Sequence, residues 1–122
     1  MKSPLPFRVA AISGFLAVAF GAFGAHGLKD LLARYDTSAI WQTAALYHLV
    51  HSAVLLFVAG REPLPAWAFR LFAAGILVFS GSLYVLSVTN VRWLGAITPL
   101  GGLALLGGWI ALAFSARVRQ EP

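Results

Sequence analysis

The sequence contains no cysteine, and only 11% of its 122 residues are charged. The lack of cysteine excludes disulfide bonds, thiolate metal sites, covalent haem attachment and cysteine nucleophiles. The scarcity of charge, together with 60% apolar residues, sets the chain apart from soluble domains, in which about a quarter of the residues are charged. The net charge of +5 comes from lysines and arginines scattered between apolar runs, not from a clustered basic face. The composition therefore predicts a membrane protein that does not bind nucleic acid.

Four apolar stretches are long enough to cross a bilayer as helices, because about 20 residues at about 1.5 Å each cover about 30 Å of hydrocarbon. The sequence predicts these spans at residues 9–27, 39–59, 68–88 and 94–114. The connections between them are short, so neighbouring spans must run antiparallel. The predicted fold class is all-α: a single transmembrane domain, residues 1–122, folded as an integral membrane four-helix bundle.

Lysines and arginines at the span ends predict the orientation, since cytoplasmic connections retain an excess of them. Six lie on the side that holds the two termini and the second connection, and three lie on the other side. This imbalance predicts that both termini are cytoplasmic. The six are Lys2, Arg8, Arg61, Arg70, Arg117 and Arg119, and the three are Lys29, Arg34 and Arg92.

The ends of the spans carry tryptophans, and the first span has a second interpretation. Trp41, Trp67 and Trp93 lie at predicted span ends, where an amphipathic ring suits the headgroup level. Lys2 and Arg8 precede the first apolar stretch, as in a cleavable signal peptide. The stretch is longer than a typical signal core, which favours a retained span.

Glycines recur on single faces of the first and fourth spans. Small residues at such spacings let helices approach closely in lipid, which favours a packing role over the alternative of a ligand approaching the backbone. Pro99 removes one helical hydrogen bond, which predicts a kink in the outer half of the fourth span. The predicted packing glycines are Gly14, Gly21, Gly24, Gly95, Gly101, Gly102 and Gly108.

Apart from Arg70 near the start of the third span, histidines are the only basic or acidic side chains within the predicted spans, and such residues are functional candidates by default. His48 and His51 share one face near the centre of the second span with Trp41, and we expect this face to point into the bundle and the opposite face, with Leu46 and Phe57, to point toward lipid. His26 lies about 10 Å or more from their depth, so the three cannot bind one ion at the required distance of about 2 Å. We predict no metal site and no cofactor, although a two-histidine site, a neutral hydrogen-bonded pair and a proton-linked role stay open. The predicted polar core comprises His26, Gln42, Tyr47, His48, His51, Ser80, Ser82, Tyr84 and Thr98.

Polar residues are concentrated in the outer half of the predicted bundle, so a hydrated cavity would open outward. The inner half offers little beyond Ser13 and Ser52, which argues against a channel within one subunit. Small drug antiporters have a similar size and span number, but they depend on an intramembrane carboxylate, and no predicted span contains one.

Four motifs occur in order along the chain. They are residues 21–28 (GAFGAHGL), residues 41–44 (WQTA) with Tyr47, His48 and His51, residues 80–84 (SGSLY), and residues 97–102 (ITPLGG) with Gly108 and Trp109. Together they resemble the YgdD-like family of small bacterial membrane proteins, which has relatives among small eukaryotic transmembrane proteins. The resemblance implies a multi-pass protein of the inner membrane. It implies no reaction, because the family is a domain of unknown function.

The sequence favours a non-enzymatic structural or accessory membrane protein whose partners are the lipid bilayer and other membrane proteins or copies of itself. The alternative is a small transporter or proton-linked binding protein that uses His48 and His51. An intramembrane enzyme is disfavoured, because the sequence shows no nucleophile and base in a recognisable arrangement.

Overall fold

The computed structural model describes residues 4–115. Three of the six basic residues in the orientation argument, Lys2, Arg117 and Arg119, lie outside the described residues. Among the described ones, each side of the bundle carries three, so the predicted imbalance depends on the two ends of the chain.

The described residues form helices and turns and no strands, as lipid requires of a chain whose backbone groups must find partners within the protein. A π-helical segment, Ile76–Ser80, joins α4 to α5, and a 3-10 segment, Arg92–Ala96, precedes α6. The six α-helices are α1 (Leu5–Ala25), α2 (Lys29–Tyr35), α3 (Ser38–Ala59), α4 (Ala66–Gly75), α5 (Gly81–Thr89) and α6 (Thr98–Ala113).

Four stretches of helix are long and apolar enough to cross a membrane, which confirms the predicted all-α, four-span fold. We number them span 1 (Leu5–Ala25), span 2 (Ser38–Ala59), span 3 (Ala66–Thr89) and span 4 (Arg92–Ala113). Span 1 begins earlier than predicted because Pro6 suits a first helical turn, where its missing N–H has no partner to lose.

Two local elements were absent from the prediction. Helix α2 occupies the first connection, where the sequence predicted no helix, because a helix of seven residues is too short to show a clear period. It buries Leu32 and ends at Tyr35, and the next residue, Asp36, has the left-handed conformation with φ of 55°. The second missed element is the π-helical segment, which has the same apolar composition as the α-helices on either side of it.

Spans 2 and 3 form the centre of the bundle, and the outer two spans pack against them. Helix α1 lies along α3, and α6 lies along α4 and the π-helical segment. Ala10 near the start of α1 shares a buried cluster with Val58 near the end of α3 and Ala68 near the start of α4. At the other end of the bundle, Arg92 donates to the backbone oxygen of Tyr35 at 2.7 Å. Neighbouring spans therefore run antiparallel.

Close helix contacts depend on glycine where spans 3 and 4 meet. A Cβ on Gly108 would lie 2.7 Å from Phe72 Cδ1, and one on Gly75 would lie 2.6 Å from Leu105 Cδ2. A Cβ on Gly101 would meet the backbone of Phe79. Spans 3 and 4 thus approach to a distance that no larger residue would allow. Gly75 was not among the predicted packing positions.

The remaining predicted packing glycines comprise one close contact and four ordinary ones. A Cβ on Gly24 would collide with the ring of Trp41, which is buried and hydrogen-bonded to the Phe20 carbonyl. At the other four positions an added Cβ would make ordinary van der Waals contact. The nearest atoms are Ser52 Cβ at 3.9 Å for Gly14, Ala45 Cβ at 4.0 Å for Gly21, Leu86 Cδ1 at 3.8 Å for Gly95 and Phe79 Cδ2 at 3.8 Å for Gly102.

Pro99 lies in the first turn of α6 rather than inside a continuous α-helix. The 3-10 segment ends at Ala96 and α6 begins at Thr98. A 3-10-to-α junction at Ile97 therefore replaces the predicted kink. In a first turn the proline has no helical hydrogen bond to remove, which is why this arrangement accommodates it.

Candidate functional site

The centre of the bundle holds a hydrogen-bonded pair made by His48 of α3 and Tyr84 of α5. His48 is buried, and its Nδ1 lies 2.9 Å from the Tyr84 hydroxyl. The Phe20 and Trp41 rings pack around Tyr84, with centroid distances of 5.0 and 4.6 Å. This aromatic surround holds the tyrosine hydroxyl in place against the imidazole. The Tyr84 hydroxyl can donate to His48 Nδ1 or accept from it, because a hydroxyl does both and the role of the imidazole nitrogen depends on which nitrogen carries the proton.

His51 is bound on both sides by groups whose roles leave no choice of tautomer. Its Nδ1 lies 2.8 Å from the backbone oxygen of Tyr47, which can only accept, so Nδ1 carries the proton. Its Nε2 accepts a hydrogen bond of 3.2 Å from the indole N–H of Trp109. Nε2 is therefore the acceptor nitrogen of the ring in this geometry.

Hydroxyl groups and two indoles connect the spans to one another. Interhelical hydrogen bonds of this kind stabilise membrane proteins by about 0.6 kcal/mol each on average. Every buried side-chain nitrogen and oxygen among residues 4–115 has a hydrogen-bond partner. The hydroxyl contacts are Ser13 with Ser52 at 2.6 Å, Ser80 to the Ala44 carbonyl at 2.8 Å, Ser82 with Thr98 at 2.7 Å and Thr37 to the Ser87 carbonyl at 2.8 Å.

Ser80 reaches α3 from the end of the π-helical segment. Segments of this type widen a helix by one residue per turn and often occur at functional sites. Ser80 is almost fully buried, and it lies beside the groove that contains His48. The segment also sets the Phe79 backbone against Gly101 of α6.

Two grooves open on the lateral surface of the bundle, and each contains one of the central histidines. The first groove, between span 1 and span 3, has a volume of about 450 Å³ and is lined by His48 and Tyr84 among apolar side chains. The second groove, between span 2 and span 4, has a volume of about 560 Å³ and is lined by Tyr47, His51 and Trp109. No residue lines both grooves.

The histidine pair therefore does not act as one cluster. Residues three apart on an α-helix are about 60° apart around its axis, so two side chains on one broad face can point to different neighbours. His48 turns toward α1 and α5, whereas His51 turns toward α6. The expected common site at mid-membrane is divided between two grooves.

Two predicted members of the polar core lie away from it. Gln42 and His26 are both exposed, and His26 follows the last residue of α1. Gln42 lines a separate pocket of about 390 Å³ with Lys29 and Ser38, at the end of the bundle that carries α2. Helical position places Gln42 one residue past the buried Trp41, which turns it outward.

Two tryptophans contribute to the core. Trp41 was expected at a span end and on the inward face of His48, and it is buried, with its indole donating to the Phe20 carbonyl at 2.9 Å. Its place on the face of His48, seven residues away, was the available signal. Trp109 gave no such signal, because its partner His51 lies on another span. Trp67 and Trp93 are exposed, as expected of headgroup residues.

The central histidines and their neighbours interact through hydrogen bonds and aromatic packing. The described histidine nitrogens face a tyrosine hydroxyl, an indole and backbone groups, so no serine hydroxyl among residues 4–115 is shown paired with an imidazole as nucleophile and base. Within the same residues, no three His, Asp or Glu side chains come together as a possible metal site.

These features define a four-span α-helical membrane protein with a hydrogen-bonded polar interior. A family model described as "Protein of unknown function (DUF423)" matches residues 20–102, and the chain belongs to this family. The resemblance drawn from the sequence motifs is confirmed by relatives that match over most of the chain.

Three relatives illustrate the match. The UPF0382 membrane protein YwdK of Bacillus subtilis is 44% identical, over 87% of this chain and 90% of the relative. A UPF0382 membrane protein of Staphylococcus epidermidis is 44% identical, over 86% of this chain and 88% of the relative. The UPF0382 inner membrane protein YgdD of Escherichia coli K12 is 38% identical, over 95% of this chain and 92% of the relative. No solved structure matches the chain.

Proposed function

We propose that this protein is a non-enzymatic membrane protein of structural or accessory type, which acts through lateral contacts with lipid and with other membrane proteins or copies of itself. One observation carries the proposal: the buried polar side chains of the described residues are paired with one another or with the backbone, mostly between spans. Such groups connect helices, and they leave the interior without a polar route for a solute.

The outer surface supports lateral contacts. Large apolar side chains are exposed on all four spans, as expected of a chain surrounded by acyl chains. The two grooves add concave sites within that surface. A protein with this surface and a closed interior meets its partners in the plane of the membrane.

A proton-linked binding protein or small transporter is the second candidate, and one observation favours it. Tyr84 can donate to a neutral His48 or accept from a protonated one, because a hydroxyl does both. His48 can therefore take up a proton without losing this partner. His51 lacks that freedom, because both of its neighbours have fixed roles.

We propose in addition that the protein resides in the inner membrane with both termini in the cytoplasm. The six basic residues assigned to that side support this orientation. A fluorescent protein fused to the C-terminus should fluoresce, and the same fusion inserted at Asn90 should not, because the fluorophore fails to mature after export in unfolded form. The reverse pattern would refute the orientation.

Two measurements on the full chain separate the candidate functions. In native nanodiscs, the accessory role predicts a particle that contains more than one protein subunit. In proteoliposomes with an enclosed pH dye, it predicts a proton flux no greater than that of protein-free liposomes.

A different pair of results would contradict the accessory role. A particle with a single subunit, together with a proton flux that His48→Phe abolishes and His51→Phe leaves intact, would replace the accessory role by the proton-linked one. His51→Phe is the matched control, since it makes the same change one helical turn away, in the other groove.

A further inference from the structure

The first groove combines apolar walls with one polar floor at the middle of the membrane. His48 is the eleventh of the 22 residues of α3, so it lies about 15 Å from either end of that helix. Tyr84 meets it at this depth from α5. A charged headgroup would have to leave water entirely to reach the floor, which excludes ionic ligands.

The groove is open to the surrounding lipid. Ile12 on one rim is 59% exposed and Leu77 on the opposite rim is 75% exposed, whereas His48 between them is 5% exposed. Its volume of about 450 Å³ falls in the range of small-molecule sites, about 300 to 1,000 Å³. An apolar molecule of that size can enter sideways from the bilayer.

The floor offers a hydroxyl with hydrogen-bonding capacity to spare. The Ser13 and Ser80 hydroxyls are bonded to Ser52 and to the Ala44 carbonyl. The Tyr84 hydroxyl shares one hydrogen bond with His48 Nδ1, and a phenol can make a second, because it has one donor and acceptor lone pairs. A ligand hydroxyl, which both donates and accepts, can complete this arrangement.

We propose that the first groove binds a neutral lipid alcohol, with its hydroxyl donating to the Tyr84 oxygen and its hydrocarbon chain lying between Ile12, Leu16 and Leu77. The hydroxyl of a lipid alcohol finds no water at this depth in the hydrocarbon. A hydrogen bond with Tyr84 therefore gives both hydroxyl groups a partner. The inference concerns this groove alone and does not depend on the accessory role.

The second groove fits this ligand less well. Its Tyr47 hydroxyl also has acceptor capacity, but Tyr47 is 42% exposed, and its ring contacts only His51 and Phe79 among the aromatic residues. Tyr84 is held by His48 and packed between Phe20 and Trp41. Preorganised groups bind more tightly because less freedom is lost on binding.

The test uses the full chain in phosphatidylcholine nanodiscs and a farnesol analogue that carries a diazirine on its chain. Photolabelling should be saturable and should fall on spans 1 and 3. The methyl ether of the same analogue, which lacks the donor, should bind about five- to ten-fold more weakly, as expected for the loss of one neutral hydrogen bond. Tyr84→Phe should weaken binding of the alcohol by the same factor and leave that of the ether unchanged.

Two glycine variants test whether a loss of binding results from blocking the groove or from misfolding. Gly81 lines the first groove and an added Cβ there meets nothing within 4 Å, so Gly81→Leu fills the groove without touching the polar pair. Gly102 lines the second groove, and Gly102→Leu is the matched control. Binding should be lost in Gly81→Leu and kept in Gly102→Leu. Equal labelling by the alcohol and the ether, or loss of binding in Gly102→Leu or Tyr47→Phe instead, would overturn the proposal.

Discussion

Replacing Gly101 by alanine should force α6 away from the π-helical segment. The new Cβ would lie 2.7 Å from Phe79 Cα and 2.8 Å from Phe79 Cβ, and it would also collide with the Phe79 backbone nitrogen. Carbon atoms pack best at about 3.5 to 4.0 Å. Since the obstructing atoms belong mostly to the backbone, no side-chain rotation relieves the clash, and the helices must separate by about 1 Å.

The magnitude follows from two opposing effects. Overpacking of a close contact costs about 1 to 3 kcal/mol, and a collision with backbone belongs at the upper end of that range. Alanine regains about 1 kcal/mol over glycine through its better helix propensity. We therefore expect the free energy of unfolding to fall by about 2 kcal/mol in Gly101→Ala.

Reversible unfolding in mixed dodecylmaltoside and sodium dodecyl sulfate micelles, followed by tryptophan fluorescence, measures this change. Gly102→Ala is the control, because its Cβ would lie 3.8 Å from the nearest Phe79 atom and gains propensity without a clash. The control should be as stable as the parent or up to about 1 kcal/mol more stable. If Gly101→Ala were as stable as Gly102→Ala, the close contact between α6 and the π-helical segment would be refuted.

Two further predictions concern the hydrogen bonds of the interior. Trp109→Phe removes the donor to His51 Nε2 and should lower the free energy of unfolding by about 1 kcal/mol, whereas Trp93→Phe, at an exposed ring, should not change it in the same micelle assay. A Trp109→Phe protein as stable as the parent would contradict the hydrogen bond between Trp109 and His51. Ser13→Ala and Ser52→Ala should be non-additive, with a coupling energy of about 0.6 kcal/mol in a double-mutant cycle. Additive effects would show that the two hydroxyls do not interact.

The four spans could be predicted because hydrophobic length is a local property. A stretch of about 20 apolar residues crosses the hydrocarbon whichever residues face inward, so composition along the chain was sufficient. The burial of the His48 face of α3 could also be predicted, since polar side chains in lipid turn toward other helices. Leu46 and Phe57, on the opposite face, are exposed as expected.

The partners of the polar side chains could not be predicted from their own spans. His48 binds Tyr84, 36 residues away, and His51 binds Trp109, 58 residues away. Helical period places a side chain on a face, but the angle between two helices decides which neighbour it meets. Gly75, Gly101 and the π-helical segment lie where spans 3 and 4 make their close contact, and the sequence does not show that contact.

The structural roles of Pro99 and Gln42 could not be predicted from their own spans either. Proline within an apolar stretch predicts a kink if the helix is continuous, and only the fold shows that α6 begins one residue before it. Gln42 follows a buried tryptophan and faces a pocket beside α2, a helix that the sequence did not reveal.

The sequence by itself determined that this chain crosses a membrane four times as helices, and that histidines lie at mid-depth in the second span. Both follow from the cost of exposing charge and backbone to hydrocarbon, which acts on each segment separately. Only the tertiary structure decided that the two histidines face separate grooves, that His48 meets Tyr84, and that His51 meets Trp109. These properties belong to pairs of groups on different helices, so they exist only once the helices have packed.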